Sequence, residues 1–300
     1  MLKRLPILCF ALLAIAACSH DSNSPAPAAS APSSTASAPA QAPAVTTPAP
    51  AAASSTTAAT PAVAATSANS APAAAATTAA TEPTPPADVP VFVEDPRWVE
   101  GKNYFRIEPA QPKVANTDKV EVTEVFSYAC PSCNNFHPLM SKLAASLPSY
   151  AVMSYLPVSF MPQENFPMFQ RAYLTAQALG VAEKANDAMY DAVWKTKELS
   201  SMRADGRGLK PMSELPTLAD AANFYAKFGV DPKEFLAVAN SFTINTQVNR
   251  ADQLVKAYGV EGTPTIVIDG KYRFDGPSAG GYAQMVELAK YLAAKEAAGK

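Results

Sequence analysis

The sequence is poor in histidine, in cysteine and in charge. Two histidines and four cysteines in 300 residues offer few ligands for a metal centre, and a structural zinc site needs four. Charged residues make up 17% of the chain, the formal net charge is −2, and no long basic run occurs. Because nucleic-acid binding depends on clustered lysine and arginine, the sequence gives no support for a nucleic-acid partner.

Long hydrophobic runs are also scarce. The run from Leu5 to Ala17 follows two basic residues and is shorter than a transmembrane helix requires. This pattern is typical of a signal peptide, which we place at residues 1–17. The run ends in Ile15-Ala16-Ala17-Cys18, which resembles the lipobox of bacterial lipoproteins and implies that Cys18 is lipidated. An ordinary secretory signal is the alternative, and both interpretations predict export.

Residues 18–95 have almost no charge and, as far as residue 90, no aromatic side chain. Alanine, proline, serine and threonine dominate this segment. It cannot bury enough apolar surface to offset the entropy lost on ordering. We therefore predict a lipidated, disordered tether with a reach on the order of 50 Å. Which bacterial membrane holds the lipid anchor, the inner or the outer, is left open.

What the sequence does contain is a Cys-x-x-Cys directly after an apolar, β-rich run. The run is Val120 to Phe126, and a helical spacing of apolar residues follows, which predicts a strand, a sharp turn and a helix. Pro131 suits the first helical position. Both sulfurs then lie at the helix N-terminus, where free N–H groups and the dipole stabilise a thiolate. We expect Cys130 to be the exposed, attacking thiol with a lowered pKa and Cys133 to be the buried, resolving thiol.

A Cys-x-x-Cys alone has other interpretations. One is a structural disulfide, although a bridge across so short a loop stabilises little through chain entropy. Another is half a zinc site with His137. The second histidine lies in the predicted tether, so we interpret His137 as a helical surface residue and predict no metal. A c-type haem attachment requires a histidine after the second cysteine, where Asn134 stands.

The remaining pattern predicts an α/β frame with a helical block in its middle. Asp269-Gly270 lies between two short apolar runs and is a strong hairpin signal. Strands are predicted at 104–107, 120–127, 151–158, 265–268 and 271–274. Helices are predicted after Cys130, at 169–179, 182–194, 215–228 and 232–258 with a break near Ser241, and finally from Ser278 or Gly281 to about Lys295.

These residues resemble the DsbA-type thiol–disulfide oxidoreductases, which have a thioredoxin fold with an inserted helical domain. The resemblance covers about 104–293. It rests on the Glu-x-x-x-x-x-Cys-Pro-x-Cys ending at Cys133, the helical block, the Gly-Thr-Pro-Thr sequence around Pro264, and the hairpin after it. It implies three segments: a first thioredoxin part at 96–160, a helical insertion at 161–255 and a second thioredoxin part at 256–300.

The same resemblance implies roles for individual residues. A cis bond between Thr263 and Pro264 would place this loop against the cysteine pair and turn the backbone of Thr263 towards a bound substrate strand. Glu124, buried near the thiols, would have its pKa raised by desolvation and would shuttle a proton to or from Cys133. The alternatives are an ordinary trans turn proline and a solvent-facing strand glutamate.

Two positions depart from the pattern of many family members. Ser132 replaces a histidine that helps to stabilise the thiolate of the first cysteine, so we expect a higher Cys130 pKa and a weaker oxidant than in histidine-bearing relatives. Tyr155 stands where some relatives have a lysine facing the buried glutamate, so Glu124 is expected to be protonated more often.

The expected function is a membrane-tethered, periplasmic enzyme that introduces disulfides into exported proteins. The resemblance implies reoxidation by a DsbB-like membrane quinone reductase, and the two cysteines need no added cofactor. Two alternatives are kept. One is a periplasmic disulfide reductase or isomerase, and the other is a non-enzymatic, peptide-binding lipoprotein with a structural disulfide.

Overall fold

The computed structural model describes residues 91–115 and 117–300. The predicted signal peptide, Cys18 and the predicted tether as far as residue 90 lie outside the described residues. Two short 3₁₀ helices, Pro162–Glu164 and Met212–Glu214, accompany the main elements. In chain order the main elements are β1 (Phe105–Arg106), β2 (Val120–Phe126), α1 (Pro131–Ala145), β3 (Ala151–Pro157), α2 (Phe166–Ala178), α3 (Ala182–Trp194), α4 (Leu218–Ala226), α5 (Pro232–Ala239), α6 (Phe242–Ala257), β4 (Thr265–Ile268), β5 (Tyr272–Asp275), α7 (Gly276–Ala279) and α8 (Tyr282–Ala297).

The strands form one five-stranded sheet in the order β1-β5-β4-β2-β3. β2 pairs in parallel with β3 and antiparallel with β4, so it is covered on both edges. Its register places Glu124 opposite Tyr155 on one side and Ile266 on the other. β3 is one of the two edge strands and ends at Pro157, which agrees with the confinement of proline to edges and strand ends. The α/β frame and the helical block between β3 and β4 are confirmed.

Helices pack against the sheet, and the buried side chains between them form two separate hydrophobic cores. One core joins α1 and α8 to the sheet through side chains such as Phe136, Met140 and Leu288. The other joins the inserted helices to the end of β2 and the following turn, through side chains such as Phe126 and Tyr128. Because β2 contributes to both cores, almost every residue in it is buried, including the polar side chains of Glu121, Thr123 and Glu124.

Helix limits in the inserted block follow capping side chains. The helix predicted at 215–228 begins only at Leu218, because the Thr217 side chain accepts a hydrogen bond from the backbone N–H of Asp220 and the Asp220 carboxylate caps Thr217 in return. The predicted break near Ser241 is confirmed, since its hydroxyl accepts from the N–H of Ile244 and starts α6.

The predicted hairpin between β4 and β5 is confirmed and also anchors the chain that enters the fold. Asp269 and Gly270 both have positive φ, 52° and 68°, as a type I′ turn requires. The N–H of Gln111 donates to the carbonyl of Gly270, and a Cβ at Gly270 would lie 2.0 Å from the Gln111 carbonyl oxygen. Only glycine therefore fits this close approach.

Ordered contacts reach into the segment that the sequence assigns to the tether. The ring of Phe92 lies 5.1 Å from that of Tyr291 on α8. None of the helices in the described part of the chain combines the length and the apolar character that crossing a membrane demands.

Candidate active site

Both cysteines lie where β2 passes into α1. Cys130 is the N-cap of α1, with extended backbone, and Pro131 occupies the first helical turn. The backbone N–H of Cys133 donates to Sγ of Cys130 over 3.4 Å. An N-cap side chain normally satisfies one of the unpaired N–H groups of the first turn, and here a sulfur has this role. The local pattern of strand, turn and helix is therefore enough to place Sγ of Cys130 at the positive end of the helix.

The expectation that Cys130 is exposed is wrong. Its exposed fraction is 6%, and that of Cys133 is 0%. A loop distant in sequence covers it, since Sγ of Cys130 lies 3.4 Å from the carbonyl oxygen of Thr263, to which the protonated thiol donates. Both thiols are free in this structure. Cys130 is still the more accessible of the two, so an incoming sulfur reaches it first.

The two thiols differ strongly in acidity. The hydrogen bond from the Cys133 thiol, aided by a hydrogen bond with the Thr263 side chain and by the backbone N–H groups of Cys133 and Ser132, outweighs burial and lowers the pKa of Cys130 to about 6. Burial, together with the hydrogen bond to Cys130, raises the pKa of Cys133 well above its ordinary value. At neutral pH the reduced pair is therefore a Cys130 thiolate beside a Cys133 thiol.

The Thr263-Pro264 loop lies against the pair. The peptide bond between Thr263 and Pro264 is cis, and the hydroxyl of Thr265 holds the loop by donating to the carbonyl of Gly262 over 2.8 Å. The structure thus brings Thr263 and Pro264 to Cys130, from which they are more than 130 residues distant in sequence. A second cis bond, between Glu108 and Pro109, had no signal in the sequence.

Glu124 is buried, with 1% exposure, and its Oε1 has no hydrogen-bond partner among the described residues. Desolvation, reinforced by the negative charge of Cys130, raises its pKa to about 8. The residue opposite it across the β2–β3 pair is Tyr155, as the sequence alignment predicted, and a phenol supplies no positive charge. A carboxyl group that is mostly protonated at neutral pH is thus held close to the thiol pair.

The site is walled by aromatic rings that sequence reasoning missed. Tyr128, Tyr173 and Tyr190 pack edge-on or tilted against one another or against Phe126, with ring centroids 5.0–6.2 Å apart. They come from the turn after β2 and from two inserted helices. In the sequence these tyrosines have no special spacing, so they cannot be distinguished from tyrosines that only fill a hydrophobic core. The wall keeps the region around Glu124 and the thiols at low polarity.

His137 is not the surface residue that the sequence suggested. Its side chain is 12% exposed, because it stacks on Tyr190 at 4.2 Å and its Nε2 lies 2.7 Å from a carboxylate oxygen of Asp187. Both partners belong to α3, so a helix from the insertion covers this face of α1. In the described part of the chain, no three histidine, cysteine or acidic side chains lie close enough to hold a metal ion.

The chain is similar to known proteins over the region that contains this site. A family model, the DSBA-like thioredoxin domain, matches residues 121–293. The thiol:disulfide interchange protein DsbA of Pseudomonas aeruginosa is 35% identical over 201 residues, which cover 67% of this chain and 87% of that protein. DsbA of Azotobacter vinelandii is 33% identical over 211 residues, which cover 70% of this chain and 86% of that protein.

Solved structures give the same result. The crystal structure of Pseudomonas aeruginosa DsbA superposes with a TM-score of 0.57 at 34% identity, covering 67% of this chain and 96% of that one. The matched region contains both cysteines, Glu124 and Pro264.

Proposed function

Because the chain belongs to the DsbA-like thioredoxin-domain family, we propose that it introduces disulfide bonds into exported proteins by exchange at Cys130 and Cys133. Membership makes it a thiol:disulfide oxidoreductase, and the direction of exchange is the proposal. The observation that carries this direction is the opposite displacement of the two thiol pKa values, lowered at Cys130 and raised at Cys133. A reduced pair that is stabilised as a thiolate makes the corresponding disulfide a good oxidant.

The first half of the reaction forms a mixed disulfide. A substrate thiolate attacks Sγ of Cys130, a bond forms between the two sulfurs, and the bond from Cys130 to Cys133 breaks. Cys133 leaves with the electron pair and, because its pKa is raised, takes up a proton. Glu124, whose pKa of about 8 leaves it mostly protonated at pH 7, is the proposed donor of that proton.

The second half releases the product. A second thiolate of the substrate attacks the substrate sulfur of the mixed disulfide, and Cys130 leaves as a thiolate. Its low pKa makes it the better leaving group. The substrate has lost two electrons and the cysteine pair has gained them. A DsbB-like membrane quinone reductase, the partner that the family implies, would accept these electrons and restore the disulfide.

The residues proposed to act directly are Cys130, Cys133 and Glu124. Pro131 and Ser132 set the geometry between the sulfurs. Thr263 and Pro264 are proposed to hold the substrate strand by backbone pairing. The support is that Thr263 contacts Sγ of Cys130.

The reduction potential of the pair tests the direction of exchange. The full chain is equilibrated with glutathione buffers, thiols are blocked, and mass spectrometry of the peptide containing Cys130 and Cys133 gives the oxidised fraction. We expect a potential clearly above the value of about −270 mV typical of thioredoxin, and below the value of about −120 mV of DsbA because Ser132 adds no charge. A value at or below about −270 mV would instead favour the periplasmic reductase.

The activity itself is tested with a reduced, unfolded substrate protein that needs disulfides. Oxidised full chain is expected to restore substrate activity, and Cys130→Ser is expected to abolish this. An isomerase would act mainly on substrates with scrambled disulfides, so a preference for these over reduced substrate would support the second candidate.

We also propose that the mature protein is periplasmic and anchored by lipid on Cys18. The support is the signal-like segment 1–17 and the lipobox-like residues before Cys18. Expression in a bacterium supplied with labelled palmitate should label the wild type and not Cys18→Ala. An unlabelled wild type found free in the periplasm would identify an ordinary secretory signal instead.

A further inference from the structure

A cavity of about 200 Å³ lies beside Cys130. Ala129 and Pro131, the two residues that flank Cys130 in the chain, form one wall. Val193 and Trp194, at the end of α3, form a second wall. The loop that follows α3 closes the cavity through several residues between Ser200 and Leu209. A larger cleft of about 460 Å³, along β1, contains none of the proposed active-site residues.

The walls of this cavity are fixed by hydrogen bonds. The loop folds back on itself, since the N–H of Arg203 donates to the carbonyl of Gly208 over 2.9 Å and the N–H of Lys210 donates to the carbonyl of Ser201 over 2.8 Å. The hydroxyl of Ser201 donates to the carbonyl of Glu164 over 3.0 Å and ties the loop to the 3₁₀ helix. The cavity is therefore formed before a substrate arrives, which lowers the entropy lost on binding.

The second wall is tied directly to the turn that carries the reactive cysteine. The indole N–H of Trp194 donates to the backbone carbonyl of Tyr128 over 2.8 Å. This bond joins the end of α3 to the residue two positions before Cys130. The second wall is thereby tied to the same turn as the reactive sulfur.

The lining is chiefly apolar and carries one acidic group. Ala129, Pro131, Val193, Trp194 and Leu209 present hydrocarbon or aromatic surface. The carboxyl group of Glu164 is the single ionisable group in the lining, and partial burial raises its pKa. A water molecule occupies about 30 Å³ in the liquid, so the cavity holds several waters or one large side chain.

We propose that this cavity is a substrate subsite that receives an apolar side chain located one or two residues from the substrate cysteine. The inference rests on the proposed exchange at Cys130 and specifies its substrate class. A mixed disulfide fixes the substrate sulfur on Cys130, and an extended chain advances about 3.3 Å per residue. A side chain one or two residues away therefore lies within reach of a cavity whose wall includes both neighbours of Cys130.

The test uses oxidised full chain and short peptides with one cysteine each. In a serine-glycine background, a single leucine is placed at each of the two positions before and after the cysteine, with serine and aspartate at the same positions as matched controls. Each exchange consumes two peptide thiols, forms one peptide disulfide and reduces the Cys130–Cys133 disulfide. Alkylation followed by mass spectrometry gives the rate.

At one of the four positions the leucine peptide is expected to react about tenfold faster than its serine control, the effect of burying most of one such side chain. The aspartate peptide is expected to be the slowest at that position because it would face Glu164. In Leu209→Ser the advantage of leucine is expected to fall below about threefold. In Phe242→Ser, which removes an 84% exposed apolar side chain from α6 outside the cavity lining, the tenfold advantage should persist.

Three results would overturn the proposal. Equal rates for the leucine and serine peptides at all four positions would show that the cavity is not a substrate subsite, while the proposed exchange reaction would still stand. An undiminished leucine advantage in a folded Leu209→Ser protein would show that the preference arises elsewhere. Failure of every peptide, and of glutathione, to reduce the pair would refute the proposed function and the subsite with it. The comparison among peptides needs only the wild type, so it stands even if Leu209→Ser does not fold.

Discussion

Replacing Glu124 with glutamine should change how the stability of the protein depends on pH. The folded protein raises the pKa of Glu124 from 4.5 to about 8, chiefly by desolvation, so the folded state holds a proton that the unfolded state releases. A carboxyl group with a raised folded pKa contributes stability that is fully present below pH 4.5 and is lost as pH rises through about 8. Glu124 is fully buried, so solvent does not screen this effect.

The difference between the ordinary pKa of Glu124, 4.5, and its pKa in the folded protein, about 8, sets the size of the change in stability. At 1.36 kcal/mol per pH unit it corresponds to about 5 kcal/mol in total. Integration of the two titrations gives a loss of about 3 kcal/mol by pH 7, and most of the remainder, about 1 kcal/mol, follows between pH 7 and 8. Glutamine does not ionise, so the wild type should lose stability relative to Glu124→Gln by these amounts.

The assay is urea unfolding of both reduced proteins at pH 5, 6, 7, 8 and 9, followed by circular dichroism. Because both proteins contain Cys130, the titration of its thiol largely cancels in the difference between them. Glu234→Gln makes the same change from carboxyl to amide on the exposed face of α5 and is the matched control for the substitution itself. A Glu124→Gln difference that is constant within about 0.5 kcal/mol from pH 5 to 9 would refute the argument.

Three further predictions concern the thiols and the hairpin. In the reduced protein, thiolate absorbance at 240 nm should rise with a midpoint near pH 6 and be lost in Cys130→Ser, whereas a midpoint near 8.5 would contradict the hydrogen-bonding argument. Ser132→His should lower the midpoint of this titration. Each pH unit by which the Cys130 pKa falls should raise the reduction potential at pH 7, measured against glutathione, by up to about 30 mV. An unchanged potential would exclude a role for charge at this position. Gly270→Ala and Gly206→Ala both place alanine at positive φ, about 70° in each case, but only the first brings Cβ against the Gln111 carbonyl. Both variants should lose about 1–2 kcal/mol of unfolding free energy because alanine is strained at positive φ. Gly270→Ala should lose about 1–3 kcal/mol more because its Cβ clashes with the carbonyl. Equal losses in the two variants would contradict the close approach.

Local sequence determined much of what could be predicted. The passage from Val120 to Cys133 combines an apolar run, a turn and a helical spacing, and each of these features acts over a few residues. The Asp269-Gly270 turn and the helix break near Ser241 are likewise local, and the structure confirms both. Long-range pairing entered only through the family resemblance, which correctly set Tyr155 opposite Glu124.

The errors arose where distant segments meet. Cys130 was expected to be exposed, but the loop at Thr263 covers it, and no local pattern describes that contact. His137 occupies a helix position that would face water if α3 did not pack over it. The loop between Ser200 and Leu209 has no apolar periodicity, so its part in a cavity beside the site emerges only from the folded chain.

The position of Trp194 in the wall of the cavity has an optical consequence. The chain contains only two tryptophans, and Trp98 is buried in the core formed by α1, α8 and the sheet, whereas Trp194 lines the cavity beside Cys130. A peptide that enters the cavity alters the surroundings of one indole and leaves the other in place. Fluorescence emission from Trp194 is therefore expected to change when a peptide occupies the proposed subsite, and Trp98→Phe would isolate that signal without an attached dye.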